Sequence, residues 1–97
     1  MFVQIIEARL KSEDAWNTVQ EMQERWERDE AKRAPGYITG QWLKDRKDAR
    51  HCLAVIQFES AEKAQENSNR PETNQFYQRF VELMDGQPKF VDCDVVD

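Results

Sequence analysis

The chain has 97 residues, a formal net charge of -5, and hydrophobic and charged fractions of 39% and 34%. That length suits one domain over residues 1–97 with one compact core, and three Trp, five Phe and two Tyr supply enough buriable area to argue against disorder. The acidic balance excludes nucleic acid and anionic membranes as partners, no apolar run nears the roughly 18 residues of a membrane span, and no signal-peptide pattern opens the chain, which makes the cytoplasm the expected address.

In chain order, residues 2–10 read as a strand, with Phe2, Ile6, Ala8 and Leu10 on one face and Val3 and Ile5 on the other. Ser12 offers a helix N-cap, and Glu13 and Asp14 suit the positive end of the helix that follows. Ala15, Val19, Met22 and Trp26, spaced 4, 3 and 4 with Trp16 beside them, form the stripe of a helix lying on a core. Glu21 with Arg25 and Glu24 with Arg28 support its solvated side, and Pro35-Gly36 stops it by about Arg33. Residues 37–44 and 52–58, joined by the polar turn Asp45-Arg46-Lys47-Asp48, read as a hairpin. Ser60 caps a short helical piece through Ala61 and Ala64. The polar run Asn67-Ser68-Asn69-Arg70 reads as a loop, and Pro71 opens a second helix striped by Phe76, Tyr77, Phe80, Leu83 and Met84. Asp85-Gly86 ends that helix, and residues 89–96 form the last strand.

This order of elements is the split βαβ arrangement. It predicts an α+β, ferredoxin-like βαββαβ fold, whose right-handed crossovers put the helices on one side of a four-stranded antiparallel sheet. Yet the strands are apolar in both phases: Leu53 and Val55 oppose Ala54 and Ile56, while Phe90 and Val96 oppose Val91, Cys93 and Val95. A protein seldom leaves more than a few hundred Å² of contiguous apolar surface wet, at about 25 cal/mol per Å². The expected partner is therefore a second copy of the chain, in a homodimer formed through the uncovered sheet face. The alternative is a monomer whose far face is diluted by Gln4, Gln41, Gln57 and Asp94. Cys52 and Cys93 make no CxxC pair and fall two strands apart, beyond disulfide reach, so both are expected as thiols.

The Pro35-Gly36-Tyr37 turn, the strand-to-helix passage Ala54-Val55-Ile56-Gln57-Phe58-Glu59-Ser60-Ala61-Glu62-Lys63-Ala64 and the final Phe90-Val91-Asp92 strand resemble the dimeric α/β-barrel superfamily over nearly the whole chain. Within it, they resemble the small antibiotic biosynthesis monooxygenase (ABM) proteins. The resemblance implies a dimeric α/β barrel. It also implies a monooxygenase acting on a small aromatic or polyketide-like molecule without metal or flavin. The superfamily also holds haem-degrading enzymes, isomerases and proteins with no known reaction, and fold alone does not choose among them. Haem-degrading members use an Asn on the first strand and a His on the second helix. Here the first strand carries Gln4 and Glu7 and the second helix has no His, which turns the reading away from haem.

His51 is the single histidine, so any imidazole base is this residue; the plainer reading is a solvated residue at a strand end. Trp16, Trp26, Trp42, Phe76, Tyr77 and Phe80 either fill the core or line a pocket suited to a small flat aromatic ligand. A cofactor-independent oxygenase needs a ligand that readily forms a carbanion, and donors near its developing oxyanion. His51, Tyr77 and Asn74 are the candidate catalytic residues, and Trp42, Trp26 and Phe76 the candidate substrate-binding ones. One His and two separated Cys make no metal-ligand set, no Gly-rich phosphate loop is present, and no cofactor is expected. Two functions stay open: an ABM-like monooxygenase, or a noncatalytic dimeric small-molecule-binding or regulatory module. An open pocket with two or more convergent polar groups favours the first, and a core filled by Trp26, Trp42 and Phe80 favours the second.

Overall fold

The structure is a computed structural model and describes residues 1–96. Its elements are β1 (Phe2–Arg9), α1 (Ala15–Asp29), β2 (Tyr37–Lys44), β3 (His51–Phe58), α2 (Ala61–Ser68), α3 (Pro71–Glu82) and β4 (Lys89–Asp94). The strands pair antiparallel in the order β2-β3-β1-β4. This is the ferredoxin-like α+β arrangement that the order of elements predicts, with two helices, α2 and α3, in the second crossover.

Register assigns the faces. Ile6 lies opposite Ala54 and Phe90, whereas Ile5 lies opposite Val55 and Val91, so the two residues project to opposite sides of the sheet. The Ile6 side carries the core. Ala8, Leu10, Cys52 and Ala54 meet Ala15, Val19 and Met22 of α1 and Phe80 and Met84 around α3, and Phe2, Phe58 and Ala64 form a smaller cluster at the other end. All four residues of the α1 stripe are buried. On the far side Val3, Ile5, Leu53 and Val55 are half-buried, and Leu43 and Val91 are 42% and 39% exposed. This apolar face is open in the single chain.

Several ends differ from the sequence reading. Ser12 does not cap α1 with its side chain; its carbonyl accepts from Ala15 N at 3.3 Å, and a tight turn through Asp14 starts the helix. α1 ends at Asp29 rather than Arg33, since Glu30 N and Ala31 N both turn back to Trp26 O at 2.8 Å. α2 runs through Ser68, so Asn67 belongs to a helix and not to a loop. β3 opens at His51, while β4 ends at Asp94 and not Val96. Ser60 does cap α2, accepting from Lys63 N at 3.2 Å. Gly36 makes the turn into β2 with a φ of +66°, and a Cβ there would strike Lys63 Cβ. Cys52 and Cys93 are free thiols with β1 between their strands. Among the described residues, no helix is long and apolar enough to cross a membrane.

Candidate functional site

Between the helices and the sheet lies a cavity of about 260 Å³. Its apolar wall is aromatic. Trp42 of β2 meets Phe80 of α3 edge to face with ring centroids 4.5 Å apart, and Trp26 of α1 packs on Phe76 of α3 at 5.1 Å. These paired rings hold one another at the rim of the space instead of occupying it. Tyr77 leans on Phe90 at 5.7 Å, and Ile6, Ile56 and Phe58 of the sheet complete the floor.

A β-bulge decides which residues of β2 reach this cavity. The β2–β3 register shifts between Tyr37 and Thr39, so Tyr37 pairs with Phe58 and Trp42 with Ala54. Both therefore face the helices, although plain alternation would place them in opposite phases. Three hydrogen bonds then link four side chains in series along the wall. Trp42 Nε1 donates to Gln23 Oε1 at 2.8 Å, Gln23 Nε2 donates to Glu27 Oε1 at 2.8 Å, and the Tyr37 hydroxyl donates to that same oxygen at 2.6 Å. Burial, and then the bond to Glu27, push the Tyr37 hydroxyl up to about 12, so it is a proton donor at neutral pH.

The opposite wall is the α2–α3 junction. Asn67, 5% exposed, accepts at Oδ1 from Thr73 Oγ1 at 2.9 Å and from Arg70 Nη1 at 3.4 Å. Arg70 in turn pairs with Glu30 at 2.7 Å, both side chains being mostly shielded, and so ties the junction to the end of α1. Ser68, Thr73, Asn74 and Tyr77 border the cavity here. Burial also raises the Tyr77 hydroxyl.

Of the residues singled out from the sequence, Trp26, Trp42, Phe76, Asn74 and Tyr77 all line this cavity. His51 does not join them. It pairs with Arg9 in the phase that faces away from the helices, where its Nε2 lies 2.7 Å from Glu7 Oε2 and its Nδ1 2.9 Å from Asp45 Oδ2. The two carboxylates approach opposite edges of the ring and do not converge on a common point. Among the described residues no group of three or more His, Cys, Asp or Glu is arranged to hold a metal ion. Hydrogen bonds from Asp45 first and Glu7 second raise the His51 pKa above 6.5. Sequence reading passed over Tyr37, Gln23, Glu27 and Asn67. Gln23 and Glu27 sit four apart beside the α1 stripe, and Asn67 sits one turn after Ala64; those spacings are the only trace of their position.

The chain is thus a ferredoxin-like α+β fold with an aromatic cavity between its helices and one sheet face. No family model matches it, and no curated protein does. Solved structures do match over its whole length. A Nitrosomonas europaea protein described as an antibiotic biosynthesis monooxygenase is 18% identical, with a TM-score of 0.78 and complete coverage of both chains. A monooxygenase of Streptomyces coelicolor, in complex with nanaomycin D, is 15% identical with a TM-score of 0.82, over 99% of this chain and 88% of its own. The cofactor-independent oxygenase SnoaB of Streptomyces nogalater is 8% identical with a TM-score of 0.80, over 99% and 93%. The fold is that of the antibiotic biosynthesis monooxygenase structures, as the sequence resemblance implied.

Proposed function

We propose that the chain is an ABM-like monooxygenase that binds a small aromatic or polyketide-like molecule in this cavity and oxygenates it with O₂, without metal or flavin. One observation carries the reading. Trp26, Trp42 and Phe80 border an open space, and polar groups from α1, β2 and α3 converge on it. The electrons come from the ligand itself: loss of a proton leaves an electron-rich anion, one oxygen atom is retained in the product and the other leaves as water. Trp26, Trp42 and Phe76 hold the ring, while Asn74 and Tyr77 offer donors to its developing oxyanion. His51, on the other face, takes no part. Two similar folds support the choice, one solved with nanaomycin D and one a cofactor-independent oxygenase. The working form is a homodimer closed through the far sheet face, in the cytoplasm.

The test is to incubate metal-stripped protein with 1,8-dihydroxyanthrone and follow oxygen uptake and quinone absorbance. Turnover above the spontaneous rate is expected, falling at least about tenfold in Tyr77→Phe or Asn74→Ala. One observation favours a second reading, a noncatalytic dimeric binding module: among the described residues no Asp, Glu, His, Lys or Arg lines the cavity. Thermal stabilisation by the anthrone with no oxygen uptake selects that module and rejects the oxygenase.

A further inference from the structure

The cavity lacks an ionised side chain of its own, yet one of its walls is wired to a carboxylate. Tyr37 lines the cavity, whereas Glu27 lies outside it on the exposed side of α1. The 2.6 Å bond from the Tyr37 hydroxyl to Glu27 Oε1 spans the wall between them. Because that hydroxyl donates outward, its lone pairs are left as acceptors. The neighbouring groups are already engaged: the Gln23 carbonyl accepts from the Trp42 indole, and the Gln23 amide donates to Glu27.

Gly40 is a second, independent sign that the Tyr37 hydroxyl has a reserved place. It sits inside β2, where glycine weakens a strand, and its φ falls in no region that requires glycine. A Cβ at this position would meet the Tyr37 hydroxyl at 3.0 Å and Gln23 Nε2 at 3.6 Å. The missing side chain leaves the space that the hydroxyl and the amide occupy.

We propose that Tyr37 and Glu27 form a proton relay from the cavity to solvent, and that the ligand is accordingly a phenol or enol whose hydroxyl proton they remove. The idea rests on the cavity being the ligand site of the preceding section. The ligand O–H bond breaks as an O–H bond forms on Tyr37, and the proton Tyr37 held passes to Glu27 Oε1 and on to water. Tyr37 ends as it began, now donating to the ligand oxyanion, and no electrons change hands. Burial disfavours a free Tyr37 phenolate, so the two transfers are coupled. The product is the electron-rich anion that reaction with O₂ requires.

The relay is read directly from a coloured phenol. 4-Nitrophenol absorbs at longer wavelength once ionised, and 4-nitroanisole has the same ring with no proton to give. Both are titrated into the protein, with binding followed by tryptophan fluorescence and ionisation by visible absorbance across pH. In the wild type, bound 4-nitrophenol should ionise about tenfold more readily than the free phenol, a midpoint shift of about one pH unit. Tyr37→Phe should bind both probes and lose that shift, because no hydroxyl then donates to the phenolate, whereas Glu27→Gln should bind both probes and slow the ionisation of bound 4-nitrophenol after a pH jump at least about tenfold. A wild-type midpoint and rate matched by both variants overturn the relay and leave the cavity reading standing. Failure of the wild type to bind either probe overturns both. Glu27 is exposed, so Glu27→Gln separates loss of the relay from loss of the fold.

Discussion

His51 shows how one side chain reads pH without taking part in the cavity. Flanked by Asp45 and Glu7, it is favoured in its charged form, since a neutral ring would turn one lone pair toward a carboxylate. Its pKa is raised above 6.5, with Asp45 the larger cause. The pairing therefore contributes its full stability below 6.5 and loses it as pH rises through the raised value. Asp45 is lowered from 3.8, chiefly by His51, and its share is lost only as pH falls through that lowered value. The melting temperature should thus decline as pH climbs above 6.5 and through the raised value, and His51→Gln should flatten that slope; circular dichroism melts at a series of pH values measure it. A slope unchanged in His51→Gln would assign it to other groups. Cys52 behaves oppositely: burial alone pushes its thiol up to about 12, so it stays protonated and inert. Phe80 joins the core to the cavity wall. It is 2% exposed and holds Trp42, and Phe80→Ala should cost about 3–5 kcal/mol in a urea melt.

At the scale of elements, the turn into β2 fixes where Tyr37 stands. Gly36 holds φ at +66°, and a side chain there meets Lys63 of α2. Gly36→Ala should then destabilise by about 1–2 kcal/mol, read as a lower urea midpoint with an unchanged slope. Gly86 has φ +89° with nothing within 4 Å, so Gly86→Ala should lose only the backbone part of that effect. The α1 stripe was legible from spacing because burial on one helix face is a local, periodic property: Ala15, Val19, Met22 and Trp26 are all buried. The polar half of the cavity was not legible for the opposite reason. Tyr37 reaches Glu27 ten residues away, and Trp42 reaches Gln23 nineteen away, through a chain reversal and a bulge that alternation does not encode. Asn67 misled in the same manner. It looks like a loop residue, and what holds it in α2 is a bond from Thr73 and from Arg70, itself anchored on Glu30 forty residues distant.

For the whole molecule, the decisive fact is a sheet with two apolar faces and helices on one. Val3, Ile5, Leu53 and Val55 sit on the two central strands, in the middle of the uncovered side, where a second sheet would pack about 10 Å away. Hydrophobic burial at about 25 cal/mol per Å² makes this face the main source of free energy for the proposed dimer. An ion placed at its centre should break it. Val55 is half-buried in the single chain, so Val55→Asp leaves the subunit core untouched while forcing an unpaired carboxylate into the dimer interface. Dimerisation should weaken by at least about a hundredfold, or about 3 kcal/mol. In sedimentation at micromolar concentration the wild type should run at twice its 11.5 kDa chain mass and Val55→Asp at the chain mass. Arg25→Asp, on the solvated side of α1, should leave the dimer intact. The melting temperature of the wild type should also rise with protein concentration and that of Val55→Asp should not, because only the former is stabilised by mass action. A wild type that sediments as a single chain, with a melting temperature indifferent to concentration, would remove the dimer while leaving in place the cavity, whose lining comes from the helices and the helix-facing side of the sheet.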